Sequence, residues 1–136
     1  CSWCIMEVMT EKLLPKKRKG HTYRLVIESQ LIGRTKFFLG TGEYPDGSLG
    51  EIFVDWMKQE TSIAGLCHGW AKLFSIALQN GVPLERLCKL FSKERFEPYG
   101  RVEEVEDIEE CISIFDLICK VLIRDYAGRT DEKEKC

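Results

Sequence analysis

LGEIFVDWMKQETSIAGLCHGWAKLFSIALQNGVP, residues 49–83, changes its hydrophobic period part-way along. LGEIFVDWM over 49–57 reads as a strand. From Thr61 or Ser62, either of which can cap a helix, the pattern changes. Ile63, Leu66, Cys67, Trp70, Phe74, Ala77 and Leu78 recur at spacings of three and four, the period of an amphipathic helix. Asn80-Gly81 ends that helix, because glycine accepts the left-handed backbone that follows a last turn. Pro83 opens the next one, where its missing N–H costs nothing. Strands therefore precede this segment and helices follow it.

On the N-terminal side, TYRLVIES at 22–29 alternates Tyr23, Leu25 and Ile27 with Arg24, Val26 and Glu28, a strand signal. LIGR at 31–34 reads as a turn, TKFFLGTGEY at 35–44 as a second strand, and YPDG at 44–47 as a β-turn with proline at its second position. The three strands form an antiparallel meander. On the C-terminal side Leu84, Leu87, Cys88 and Phe91 line a helix over 83–92, and FEPYG at 96–100 is a loop. A third helix is expected over 105–126, with Ile108, Cys111, Ile112, Phe115, Ile118, Cys119, Leu122 and Tyr126 inward. The expected fold class is α+β, a three-stranded antiparallel meander with three helices packed on one face. Tyr23, Phe37, Phe38, Phe53 and Trp56 supply apolar side chains to both sheet faces, which predicts a homo-oligomer covering the second face. The expected organisation is a flexible basic arm over 1–20, a single domain over 21–127 and a disordered tail over 128–136.

The composition is that of an ordinary globular domain, 44% hydrophobic and 31% charged over 136 residues. A net charge of −2 gives no field that would gather long nucleic acid. No apolar run reaches the length of a membrane span. Of seven cysteines, Cys67, Cys88, Cys111 and Cys119 fall on apolar helix faces, the pattern of buried free thiols in a reducing compartment. The expected location is the cytoplasm, of a cell or of an infected host.

The chain holds two histidines, and none of the HExxH, Walker, GxSxG or dinucleotide fingerprints occurs in it. Cys1-x-x-Cys4 has the spacing of half a zinc knuckle with no second half, so neither metal nor cofactor is expected. Anion binding is the better candidate. Lys16, Lys17 and Arg18 form a basic block, and Arg95 and Arg101 lie in or beside a loop. Phe96 and Tyr99 flank Arg95 and can stack on a base. Ser62 and Gly65 at a helix start leave backbone N–H groups open to an anion. These residues are the expected ligand site. The competing structural readings are a solvated charge run and, for FEPYG, a core plug at Phe96 followed by a turn.

Four segments, LLPKKRKG at 13–20, GEIF at 50–53, SIALQNGVPLE at 75–85 and RFEPYG at 95–100, resemble in order and spacing the small C-terminal domain of cobalamin-dependent ribonucleotide reductases. The resemblance covers roughly 13–126. It implies the absence of the barrel that carries the radical cysteine and the cobalamin site, which 136 residues cannot hold. The redox cysteine pair common at the far C-terminus of such reductases is matched here by Cys136 alone. The resemblance therefore implies a chain that is not an enzyme. The leading expectation is a binding protein for a small nucleotide-like ligand. By analogy of size with the Thoeris anti-defence proteins, that is a phage sponge sequestering a cyclic nucleotide or cyclic ADP-ribose-type signal. The alternative is an accessory or severed reductase domain that mediates subunit contacts.

Overall fold

The computed structural model describes residues 11–56 and 61–127. Three strands, β1 (Thr22–Ser29), β2 (Gly33–Glu43) and β3 (Leu49–Trp56), are followed by helices α1 (Ser62–Gln79) and α2 (Leu84–Phe91). Short strands β4 (Gly100–Glu103) and β5 (Glu110–Cys111) come next, then α3 (Ile114–Leu122), which runs into a π-helical turn over Ile123–Ala127. All strand pairings are antiparallel, in the order β3-β2-β1-β4-β5.

The first three strands and the first two helices lie where the periodicity puts them, but the sheet has five strands and is not the expected three-stranded meander. The third helix departs from its expected place. Residues 100–103 and 110–111 join the sheet, and Glu104 (φ 64°) and Asp107 (φ 67°) turn the chain between them. The helix starts only at Ser113, whose hydroxyl accepts from Asp116 N at 2.9 Å while Asp116 Oδ2 accepts from Ile112 N at 3.0 Å. The Ser113 bond is the N-cap half of a capping box, and Asp116 reaches one residue further back, to the N–H before the cap. Ile108 and Cys111 fit the helical spacing and are buried, but they reach the core from a loop and a strand.

One core lies between the sheet and the helices. Leu25, Ile27, Phe37, Leu39, Ile52, Val54 and Trp56 meet Trp70, Phe74, Leu117, Ile118 and Leu122 there. Each such side chain, fully buried, contributes about 1.5–3 kcal/mol. The opposite sheet face is mostly charged. In register it presents Arg24 and Glu28 of β1, Arg34 and Lys36 of β2, Asp55 of β3, and Arg101 and Glu103 of β4. Arg34 Nε donates to Glu103 at 2.6 Å and Arg24 to Glu104 at 3.2 Å. Of the five aromatics expected to need a partner, Tyr23, Phe37 and Trp56 face the core, and only Phe38 and Phe53 face outward. The argument for an oligomer through the sheet loses most of its apolar area.

β3 is an edge strand, and α1 reaches it. Ser75 Oγ accepts from Ile52 N at 2.9 Å and lies 3.2 Å from Ile52 O, and Gln79 Nε2 donates to Gly50 O at 3.0 Å. Helix side chains thus cap part of an otherwise open edge, at Gly50 and Ile52. The expected arm is bound to this body from residue 11 on. Lys12 N donates to Gln79 O, and Glu43 N to Lys19 O, each at 2.8 Å. The rest of the arm, the residues carrying Cys1 and Cys4, and the tail over 128–136 lie outside the described residues.

Candidate functional site

The inward alternation of β2 carries Leu39 and then two polar residues, Thr41 and Glu43, into the end of the core. A buried carboxylate must be paired to be tolerated. Tyr126, from the π-helical turn, supplies the partner. Its hydroxyl donates to Glu43 Oε2 at 2.6 Å and lies 2.9 Å from Thr41 Oγ1. His21 Nε2 stands 3.4 Å from the same carboxylate, and His21 N donates to Thr41 Oγ1 at 2.9 Å. Beside this network the Tyr23 hydroxyl donates to Asp125. Donation from the Arg124 guanidinium holds the Asp125 carboxyl below its ordinary range. Burial, and then the Asp125 bond, pushes the Tyr23 phenol up.

Glu43 also forms part of a cleft of about 700 Å³ together with Pro15, Lys17, Arg18, Lys19 and the Tyr44–Gly47 turn. Arg18 is committed within it, ion-paired to Glu51 and donating to Pro15 O at 2.6 Å. Lys16, Lys17 and Lys19 are exposed. The cleft therefore presents lysines at its rim and carboxylates, Glu43 and Asp46, in its wall.

The remaining expected site residues lie elsewhere. Arg95 stacks on Tyr99 with its guanidinium carbon 4.4 Å from the ring centroid. Phe96 is packed edge-on against Phe115 at 5.2 Å, so it serves as the core plug of the structural reading. Glu97 Oε1 accepts from Tyr99 N at 3.2 Å and ties the loop to Ser29. Arg101 sits on the charged sheet face, in register with Glu28 and Glu110. Thr61, rather than Ser62, caps α1, accepting from Ala64 N at 3.2 Å. Ser62 and Gly65 are exposed on its first turn. β1 runs from the basic cleft to the Arg101 end, and its eight residues span roughly 24 Å at 3.4 Å per residue. One small ligand cannot meet both Lys16–Arg18 and the Arg95–Arg101 group.

The polar network was missed as a site in the sequence. Its signal is present: in β2 the inward positions 39, 41 and 43 pass from leucine to threonine to glutamate, which a buried strand face does only when a partner waits.

The four cysteines expected on buried faces are buried. Burial pushes the Cys111 thiol up to about 11 and raises Cys67 as well. Cys119 is raised first by its hydrogen bond with Cys88 and then by burial. Among the described residues no group of three or more potential ligands could hold a metal ion, and no helix is long and apolar enough to cross a membrane.

Fold and side chains thus define a small α+β module whose polar groups are mostly spent on its own structure, with one basic cleft. It belongs to the TSCPD domain family, which matches residues 10–126. The chain is 38% identical over 125 residues to the vitamin B12-dependent ribonucleotide reductase of Bradyrhizobium diazoefficiens, covering 91% of this chain and 10% of that protein. It is 36% identical over 118 residues to the enzyme of the same name from Agrobacterium fabrum, covering 87% of this chain and 9% of that one. The Streptomyces avermitilis enzyme is 36% identical over 115 residues, covering 85% and 11%. The chain spans about a tenth of the length of the relatives it matches. No solved structure matches it. The sequence resemblance to the reductase domain holds, while the phage-sponge reading finds no support in these relatives.

Proposed function

We propose that this domain is an accessory module of a cobalamin-dependent ribonucleotide reductase, that it docks on the catalytic body, and that it does not itself carry out the reaction. The observation behind this is the 38% identity along nearly the whole chain to a segment forming a tenth of a reductase. The residues support a structural role. His21, Glu43 and Tyr126 satisfy one another, and Cys67, Cys111 and Cys119 are buried with raised pKa values, a state in which thiols are poor nucleophiles. The test mixes the chain with the body of the Bradyrhizobium enzyme from which the matching segment has been removed. Co-elution on gel filtration, with turnover restored or raised, is expected. A body that keeps its cobalamin but neither binds nor responds to the chain would sink the proposal.

A second reading, binding of a small phosphorylated nucleotide-like ligand, draws on the basic cleft alone. Lys17 and Lys19 flank it, and Glu43 and Asp46 offer acceptors for sugar hydroxyls. A thermal-shift panel of nucleotides and cyclic nucleotides tests it. A hit whose shift survives Lys17→Ala with Lys19→Ala places the ligand elsewhere.

A further inference from the structure

The outward face of α1 has the wrong composition for a solvated helix. Gly65, Leu66, Gly69, Lys72, Leu73 and Ile76 lie along it, and Lys72 is the one lysine, arginine or carboxylate on the whole helix. Leu66 is 73% exposed, Leu73 69% and Ile76 52%. A helix with one side in the core normally turns charged residues to water. The two glycines are as unusual. They stand one turn apart on the same face, and glycine is among the least favourable residues for a helix interior. A Cβ built on either meets nothing within 4 Å, so packing among the described residues does not require glycine at 65 or 69. A bare backbone flanked by leucines is what a second helix needs for close approach.

We propose that this face is the surface by which the domain docks, and that its occupant is an apolar helix of the reductase body. The inference rests on the reading under Proposed function and deepens it by assigning the contact. The size of the patch chooses between the body and a second copy of this chain. Three partly exposed aliphatic side chains offer on the order of 200 Å² of apolar area. A free-standing interface takes about 800 Å² from each partner, of which roughly 450 Å² is apolar. Two copies meeting through this face alone supply about half of that. A domain carried on the same chain as its partner needs far less, because a linker holds the two at roughly millimolar effective concentration. In the Bradyrhizobium relative the matching segment is a tenth of one chain.

The experiment joins the whole 136-residue chain by a flexible linker to the Bradyrhizobium body in place of its matching segment, with retained cobalamin binding as the control that the body is folded. Binding of the tethered domain is measured as protection of the linker from protease, and self-association of the separate chain by light scattering. Leu66→Glu with Leu73→Glu, both at exposed positions, is expected to leave the melting temperature within about 2 °C and to weaken binding at least about tenfold. Gly65→Ala with Gly69→Ala is expected to weaken binding similarly while raising the melting temperature by roughly 3 °C or more, since alanine favours the helix. That opposition of signs is the signature of glycines kept for a partner. If the wild-type chain binds the body and both variants bind equally well, docking is elsewhere and the inference falls while the accessory role stands. If the wild-type chain does not bind, both fall. A wild-type mass twice the 15.7 kDa of the chain, halved by Leu66→Glu with Leu73→Glu, would make a second copy the occupant and overturn the assignment.

Discussion

Tyr126→Phe removes one oxygen from the centre of the buried network. That hydroxyl lies 2.6 Å from Glu43 Oε2 and 2.9 Å from Thr41 Oγ1, on a side chain only 1% exposed. Water cannot replace it without opening the core. A hydrogen bond to a charged acceptor contributes about 1.5–3 kcal/mol and one between neutral groups about 0.5–1.5 kcal/mol. The expected loss is therefore about 2–4 kcal/mol, most of it from the partly abandoned Glu43 carboxylate. With a urea slope of roughly 2 kcal/mol per molar for a domain of this size, the unfolding midpoint falls by about 1–2 M. Trp56 and Trp70, both in the core, report the transition by fluorescence. A double-mutant cycle with Glu43→Gln isolates the pair, and a coupling above about 1 kcal/mol is expected. A loss under about 0.5 kcal/mol with an unchanged slope would refute the reasoning, because the carboxylate would then be solvated in the native state.

Gly100→Ala should destabilise by about 2 kcal/mol or more, since φ is 144° there and a Cβ would stand 2.4 Å from Glu28 O, a backbone atom that cannot step aside; near-native melting would contradict the β1–β4 register. Ser75→Ala should cost about 1–3 kcal/mol by leaving Ile52 N without its acceptor, and chemical denaturation measures it. Cys111 should react with a thiol reagent about a hundredfold more slowly than a free thiol at neutral pH, because burial moves it from 9.0 to about 11. The same shift fixes a sign. Between about pH 9 and 11 the unfolded chain has lost the Cys111 proton and the folded one has kept it, so stability falls as pH rises through that window. Flat stability across it in a titrated melt would remove burial as the cause.

Much of the fold was legible because period decides face. Thr22–Ser29, Leu49–Trp56, Ser62–Gln79 and Leu84–Phe91 appear where alternation or three-four spacing puts them. The reading failed where two periods coincide. Ile108, Cys111 and Phe115 match a helix, yet the S-x-x-D cap at Ser113 fixes the helix start and releases 100–111 to extend the sheet. It failed again at Leu66, counted with the inner stripe of α1 by spacing but 73% exposed. Ala64, Ala71 and Ser75 take the inner positions because α1 lies close against β3, where small side chains are required. The candidate site was less legible. Loop cations can be seen in a sequence, but their separation cannot, and the length of β1 divides them into two groups.

The segments that make the chain recognisable are largely spent on one another. Gly50 of GEIF lies under Leu14 and Tyr44, where a Cβ would stand 2.5 Å and 2.9 Å from their side-chain carbons. Ser75 and Gln79 of SIALQNG bind the backbone of Ile52 and Gly50. Gly20, which closes LLPKKRKG, sits so tightly on Thr41 that a Cβ would overlap its carbonyl oxygen at 1.8 Å. Phe96 and Gly100 of RFEPYG pack on Phe115 and on the Glu28 carbonyl. Residues committed in this way explain why the fold is kept and say little about what it touches. The informative positions are then those that the domain itself leaves unused. Gly65 and Gly69 weaken a helix without making room for anything among the described residues, and Leu66 and Leu73 stay 73% and 69% exposed. A cost with no return among the described residues is the ground for the docking face proposed on α1, in preference to the conspicuous arginine loop.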